Sequence, residues 1–264
     1  MTRLPETRLK NRRAAIIGAG SVGEGVGNGK ATALTFAREG ARVLCVDRDE
    51  AAATVTAELI RSEGGTAEVA VADVVDPEAG DTVMAAMAEH WGGIDILDYN
   101  VGISRPGGVL ETTDADWDAI FEINLTGAMR LTRAVLPSMR AQSGGALIYV
   151  SSLAAVYSAP YSYLSYEVSK MALVRFARSV AKENAPYQIR SNAILPGLID
   201  TPHVSAFVDS ETDPADLAAR RAAMVPMGRQ GTAWDVARAA LFFASVESAY
   251  VTGVDLRVDG GLTA

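Results

Sequence analysis

Short apolar runs alternate with helix-length stretches along the whole chain. Ala14-Ala15-Ile16-Ile17, Arg42-Val43-Leu44-Cys45-Val46 and Ala67-Glu68-Val69-Ala70-Val71 predict three strands. Ile94-Asp95-Ile96-Leu97, Ala146-Leu147-Ile148-Tyr149-Val150, Ile189 to Leu195 and Val254-Asp255-Leu256-Arg257-Val258 predict four more. Between them, helices are expected over about Lys30 to Glu39, Glu50 to Ser62, Asp116 to Arg140 and Ser162 to Glu183, and Pro77 suits a first helical position. In the last of these, Val168, Ala172, Phe176 and Val180 recur every four residues and suggest one apolar stripe. Strands separated by helix-length segments call for right-handed crossovers and a parallel sheet. The expected fold is a single doubly wound α/β domain of seven mainly parallel strands with helices on both faces.

Composition narrows the function more than the fold. The chain has 264 residues, 49% hydrophobic and 21% charged, enough for a sizeable core. Its 24 Lys and Arg against 32 Asp and Glu give a net charge of −8, which argues against a nucleic-acid surface or a patch for anionic lipid. The one basic run, Arg8 to Arg13, reads as a solvated arm over residues 1–13, with the domain occupying 14–264. The single cysteine, Cys45, sits in an apolar strand and reads as a buried, inert thiol in a reduced compartment. His90 and His203 stand far apart, so no metal site is expected. No secretory signal is apparent, and no apolar stretch approaches the ~18 residues that span a bilayer. A cytoplasmic protein is expected.

Three features carry chemistry. Tyr166 and Lys170 are four apart on a predicted helix, so a phenol and an ammonium share one face. Alone, such a pair is an ordinary helix-surface contact in most helices; as a device, the cation would pull the phenol from ~10 towards working pH. The turn from Gly18 to Gly29, between the first strand and first helix, holds six glycines and lets backbone N–H groups approach a phosphate. Asp47 closes the second strand at the place of a ribose-binding acid, which would repel a 2′-phosphate; Arg48 beside it keeps the phosphorylated cofactor as the minority reading. Asn124 shares a helical stripe with Ile120, Gly127 and Leu131, where a polar amide must be satisfied internally; the plain structural reading is a hydrogen bond that bends the helix.

From about Ala14 to Gly261 the chain resembles the short-chain dehydrogenase/reductase family. Gly18, Gly27 and Gly29 match its cofactor turn, Asp73 followed by Val74 its adenine contact, and Asn100-Val101-Gly102 the end of its Asn-Asn-Ala-Gly segment. Pro196-Gly197, with Ile199 and Thr201 after it, matches the turn that meets the nicotinamide; Val251-Thr252-Gly253 and Val258-Asp259-Gly260-Gly261 match the C-terminal signature. The resemblance implies a Rossmann-type fold, NAD rather than NADP, and a secondary alcohol or ketone as substrate. It implies Tyr166 as general acid/base, Lys170 as the residue that lowers its pKa and binds ribose, Ser152 as donor to the substrate oxygen with Ser151 as runner-up, and Asn124 as a water-holding residue. Two departures stand out. The glycine turn is about five residues longer, with Ser21 and Asn28 as added contacts to phosphate or ribose, and Tyr99 replaces the first asparagine of the segment after strand four.

By the same resemblance, about 198–227 would form a substrate lid, with His203 and Phe207 among its lining residues, and the mouth would add Ser104, Arg105, Tyr157, Tyr161 and Tyr163. A homo-oligomer, tetramer or dimer, is implied. Two rivals remain at this stage. Tyr163, seven before Lys170, has the spacing of the divergent enoyl-reductase branch. A dinucleotide-binding sensor without catalysis is the other.

Overall fold

The computed structural model describes residues 7–21, 23, 25–158, 162–202 and 213–264. Seven strands form one sheet: β1 (Arg13–Ile17), β2 (Arg42–Asp47), β3 (Thr66–Val71), β4 (Ile96–Tyr99), β5 (Gly145–Val150), β6 (Ile189–Pro196) and β7 (Asp255–Val258). The spatial order is β3-β2-β1-β4-β5-β6-β7, and every pairing is parallel. Parallel strands covered on both faces must be apolar throughout, and Ala14 to Ile17 and Val43 to Val46 are fully buried. Each buried Val, Leu or Ile contributes roughly 1.5–3 kcal/mol relative to exposure.

Helices α1 (Asn28–Arg38), α2 (Glu50–Ser62) and α8 (Ala233–Ala244) cover one face. The other face carries α3 (Ala79–Trp91), α5 (Gly127–Ala141) and α6 (Leu164–Asn184). Of two further helices, α4 (Asp114–Phe121) packs against α6, and α7 (Pro214–Met224) carries Arg221 to the cleft. After β3 the chain returns to the centre of the sheet, so β1 lies between β2 and β4 and the winding direction reverses there. Such a reversal leaves a crevice beyond the strands' carboxyl ends, where ligands of open parallel sheets sit.

The described part of the N-terminal segment is docked, contrary to the solvated arm expected. Leu9 is fully buried, the Arg8 backbone N–H donates to Glu39, the Arg8 guanidinium pairs with Glu247, and Arg13 opens β1. Strand β4 starts two residues later than its apolar run suggests. Asp95 is held before it, its carboxylate accepting both the Arg13 backbone N–H at 2.9 Å and the guanidinium Nε at 2.8 Å. Pro77 stands outside α3, which begins at Ala79. The helix expected over Asp116 to Arg140 is α4 and α5 joined by a π-helical turn, Glu122–Thr126, with Asn124 inside it. The stripe expected on α6 is met only at its end: Val168 is exposed, whereas Phe176 packs on the core and Val180 is buried in it, and the buried line runs instead through Ser165, Ser169, Leu173, Ala177 and Ala181.

Candidate active site

A cleft of about 620 Å³ occupies the reversal point. Gly18, Ser21, Gly27, Asn28, Gly29, Asp47, Arg48, Asp73, Val74, Asn100, Val101, Gly102, Pro196, Gly197, Ile199 and Thr201 all line it, as do Ser152, Tyr166 and Lys170. On one wall, α1 begins at Asn28 without a side-chain cap, leaving its first N–H groups available. The helix end packs on the turn so closely that a Cβ on Gly29 would lie 1.9 Å from the Gly18 carbonyl oxygen. Ser21 Oγ and Asn28 Oδ1 are buried here without partners. Orphaned polar atoms beside a helix N-terminus fit the pyrophosphate of a dinucleotide. The lengthened part of the turn lies against Pro202, whose Cγ would be 2.9 Å from a Cβ on Gly25.

Asp47 is fixed from both sides. Its Oδ2 accepts the Gly20 N–H at 2.9 Å and its Oδ1 accepts the Asp49 N–H at 3.1 Å. The acid therefore ties the end of β2 to the glycine turn and keeps lone pairs for hydroxyl donors. Asp49 and Asp73 line the same end of the cleft, so three carboxylates face the single guanidinium of Arg48.

At the opposite end, β5 delivers two serines with opposite fates. Ser151 lines the cleft too, but its Oγ is buried and donates to the Lys170 carbonyl at 2.8 Å. Ser152 turns the other way and hydrogen-bonds Tyr166, which settles the geometry, though not the role, in favour of Ser152. Lys170 is almost fully buried; its Nζ donates to the Val150 carbonyl at 3.0 Å and lies 5.7 Å from the centre of the Tyr166 ring. A Cβ on Gly102 would meet Nζ at 2.7 Å, so the loop after β4 passes close against the amine. Burial lowers Lys170 to about 8. Burial likewise raises Tyr166, and Ser152 only partly offsets it. Desolvation thus dominates the phenol, which stands above its ordinary value.

Asn124 does not line the cleft. Its Oδ1 accepts the Ile103 N–H at 2.8 Å, while Nδ2 donates to the Ile103 carbonyl and to Ser169 Oγ, each at 2.9 Å. Ser169 Oγ in turn donates to the Tyr166 carbonyl at 2.8 Å. The amide thus has both donors engaged and clamps the loop after β4 to the first turns of α6. It is a positioning residue, and the π-helical turn is what aims it.

A family model described as Enoyl-(Acyl carrier protein) reductase matches residues 23–263. The 3-oxoacyl-acyl-carrier-protein reductase FabG of Thermotoga maritima is 34% identical over 255 residues, 97% of this chain and 99% of its own length. The 2,5-dichloro-2,5-cyclohexadiene-1,4-diol dehydrogenase LinX of Sphingobium indicum is 34% identical over 254 residues, 96% of this chain and 97% of its own. The crystal structure of a short-chain type dehydrogenase/reductase from Mycobacterium marinum superposes with a TM-score of 0.88 at 33% identity, covering 97% of each chain. The chain belongs to the short-chain dehydrogenase/reductase family. It is a Rossmann-fold oxidoreductase of a family that uses nicotinamide dinucleotides.

The described residues expected at the substrate mouth lie apart from those lining the cleft. Ser104, Arg105, Tyr157 and Tyr163 do not line the described cleft. Arg105 is exposed and paired with Asp116 at 2.9 Å. Tyr163 bridges Gly107 through its backbone. Tyr161, His203 and Phe207 lie outside the described residues. Sequence reasoning missed Gly20, Ile103, Ile123 and Arg221, all of which line the cleft. Arg221 comes from α7, where its Nε donates to Gln230 at 2.5 Å. The Arg220-Arg221 pair in an alanine-rich stretch gave no phase to tell which one faces inward. The Tyr99 departure is filled in an unforeseen way, since its buried hydroxyl donates to the Ile123 carbonyl at 2.5 Å. As expected, Cys45 is buried, and burial pushes its thiol up to about 12. Among the described residues no group of side chains could hold a metal, and no helix is long and apolar enough to cross a membrane.

Proposed function

We propose that this protein interconverts a secondary alcohol and a ketone with NAD, Tyr166 acting as general acid/base. The observation that carries the reading is the meeting of Ser152, Tyr166 and Lys170 at one end of a cleft whose other end is lined by the glycine turn and Asp47. The bound nicotinamide supplies or accepts the hydride. Everything else falls to the chain. The Ser152 hydroxyl and the Tyr166 phenol present two donors to the substrate oxygen, where negative charge develops during ketone reduction. Tyr166, raised by burial, is protonated and ready to donate in that direction. Loss of its proton is eased by the Lys170 cation, which burial confines to pH below about 8. Asn124 and Ser169 hold the Tyr166 turn against the β4 loop.

Asp47, fixed by Gly20 and Asp49 and joined by Asp73, favours ribose hydroxyls over a 2′-phosphate and hence NAD over NADP. The relatives' names describe a 3-oxoacyl reductase and a diol dehydrogenase, both exchanges between hydroxyl and carbonyl. The description of the matching family model favours a second reading, reduction of an enoyl group with Tyr163 as donor. Tyr163 is absent from the residues lining the cleft, and this weighs for Tyr166.

The test is NADH absorbance across a panel of cyclic alcohols, sugars, steroids, hydroxy acids and enoyl thioesters. Tyr166→Phe should abolish turnover and Tyr163→Phe should leave most of it. The reverse pattern, or activity on enoyl substrates alone, would overturn the reading.

A further inference from the structure

The segment that ends β4 holds a carboxyl group in an unusual setting. Asp98 is fully buried in the middle strand of the sheet. Its register partners are Ile16 on β1 and Ile148 on β5, both part of the apolar layer under α1 and α8. Two residues on, and therefore on the same face of the strand, Asn100 donates from Nδ2 to Asp98 Oδ1. That contact leaves two buried atoms without a partner, Asp98 Oδ2 and Asn100 Oδ1. Both are oxygens, one on each of two groups already joined by a hydrogen bond, and neither can donate to the other unless a proton lies between them. A single proton on Asp98 satisfies both at once.

We propose that Asp98 is a positioning residue that acts as a neutral carboxylic acid, closing a two-hydrogen-bond ring with the Asn100 amide and thereby fixing the floor of the dinucleotide cleft. The acid donates from Oδ2 to Asn100 Oδ1, and Asn100 Nδ2 donates to Oδ1. The ring matters because of what Asn100 supports. Its backbone N–H is bonded to the Ile17 carbonyl at 3.0 Å, and its Cβ would lie 3.4 Å from a Cβ on Gly29. Gly18 rests on the neighbouring Val101, so the turn and the helix end both stand on this segment. With the ring closed, the amide cannot rotate, and the surface beneath the phosphate-facing N–H groups is set before any ligand arrives.

The electrostatic surroundings agree. Burial raises Asp98 to about 8, with Asn100 pulling weakly the other way, so the neutral acid dominates at neutral pH. No other charge offsets the burial. On the elements packed against it, Arg13 of β1 is bonded to Asp95, Lys30 of α1 reaches the Gly25 carbonyl, Arg38 pairs with Glu63, and Asp235 and Arg238 of α8 pair with each other. Above that pH a carboxylate would face the Asn100 carbonyl oxygen, acceptor against acceptor, and the amide would have to turn.

The proposal rests on the dinucleotide reading of the cleft, and two measurements separate them. Infrared difference spectra of the ligand-free protein, wild type against D98N, test the acid directly: a protonated carboxyl C=O band is expected at about pH 7, replaced by carboxylate bands at about pH 9.5. A carboxylate at neutral pH overturns the proposal. NAD binding followed by fluorescence tests the positioning. Wild-type affinity should fall by at least about tenfold between those two pH values; D98N, whose amide donates without titrating, should keep only the smaller fall that loss of the Lys170 proton causes in both proteins. Asp98→Leu should weaken NAD binding by about tenfold or more at neutral pH with its melting transition retained. An equal pH dependence in D98N, or undiminished binding in D98L, overturns the positioning role. Failure of the wild type to bind any dinucleotide overturns the proposed function and the affinity half of this inference with it, while the carboxyl band still decides the pairing.

Discussion

Replacing Lys170 with methionine should separate stability from catalysis. The ammonium is only 3% exposed, and its one protein acceptor is a backbone carbonyl, with no carboxylate to repay its desolvation. Burial lowers its pKa from 10.5 to about 8. That depression costs the folded state roughly 3 kcal/mol wherever the unfolded chain keeps its lysine charged, at about 1.4 kcal/mol per tenfold change. Methionine fills a similar volume without charge, but leaves the Val150 carbonyl short of a donor, a loss of about 1–3 kcal/mol that does not depend on pH. The sign follows from the depressed pKa of a cationic group. The folded protein releases the proton at lower pH than the unfolded chain, so wild-type stability rises between about pH 8 and 10.5. Lys170→Met should therefore be at least as stable as wild type at neutral pH and should lose about 3 kcal/mol of relative stability by pH 10.5. Urea unfolding of the ligand-free proteins at the two pH values measures this, and the same variant should lack turnover. A gap between the two proteins that stays constant with pH would refute the argument.

Three other perturbations follow from the hydrogen bonds. Asp47→Ser removes the carboxylate that fixes Gly20 and should narrow the ratio of NAD to NADP affinity by about tenfold or more, read by titrating each dinucleotide. Asn124→Ala leaves the Ile103 N–H and carbonyl and the Ser169 hydroxyl without their partner; it should cost about 2–4 kcal/mol of stability and lower kcat more than it weakens dinucleotide binding. Asp95→Asn breaks the fork with Arg13 and should destabilise the fold by about 2–3 kcal/mol at neutral pH. Burial alone would raise Asp95, but hydrogen bonds from Arg13 outweigh it and hold the carboxyl below its ordinary value. The wild-type advantage is thus present above the unfolded carboxylate range and should vanish as acid titrates the folded Asp95, which denaturation below about pH 4 would show.

The strands were legible because burial on both faces of a parallel sheet demands uninterrupted apolar runs, and few other structures produce them at this spacing. The cofactor wall was legible for a related reason. Glycine at Gly29 is dictated by backbone passing within touching distance of another group, so the residue type itself records the contact. What escaped were features set by partners distant in sequence. The basic run around Arg8 and Arg13 looks solvated until Glu39, Asp95 and Glu247 are brought to it. The predicted fourth strand stops at Leu97, but β4 continues through Asp98 to Tyr99, a place in the sheet interior that suits a neutral acid. The substrate side stayed illegible, since its expected residues belong to loops whose spacing is not constrained by any periodic element.

Tyr99 shows how such a departure can be absorbed without weakening the site. Side chains alternate along β4, so Asp98 faces the layer under α1 while Tyr99 faces the one under α5. Where the family's usual asparagine would offer an amide, the phenol reaches further and donates to the Ile123 carbonyl. That carbonyl belongs to the π-helical turn, whose wider winding disrupts the ordinary helix ladder and leaves backbone oxygens in need of donors. Burial drives the Tyr99 pKa far above its ordinary value, so the donor is permanent. Gly127 follows the turn because a Cβ there would lie 2.7 Å from the Tyr99 hydroxyl. The same turn aims Asn124 at Ile103, and Ile103 leads from the Gly102 passage beside Lys170. One three-residue segment therefore supports both ends of the cleft: Asp98 and Asn100 beneath the glycine turn, and Tyr99 behind the amide that secures the Tyr166 helix.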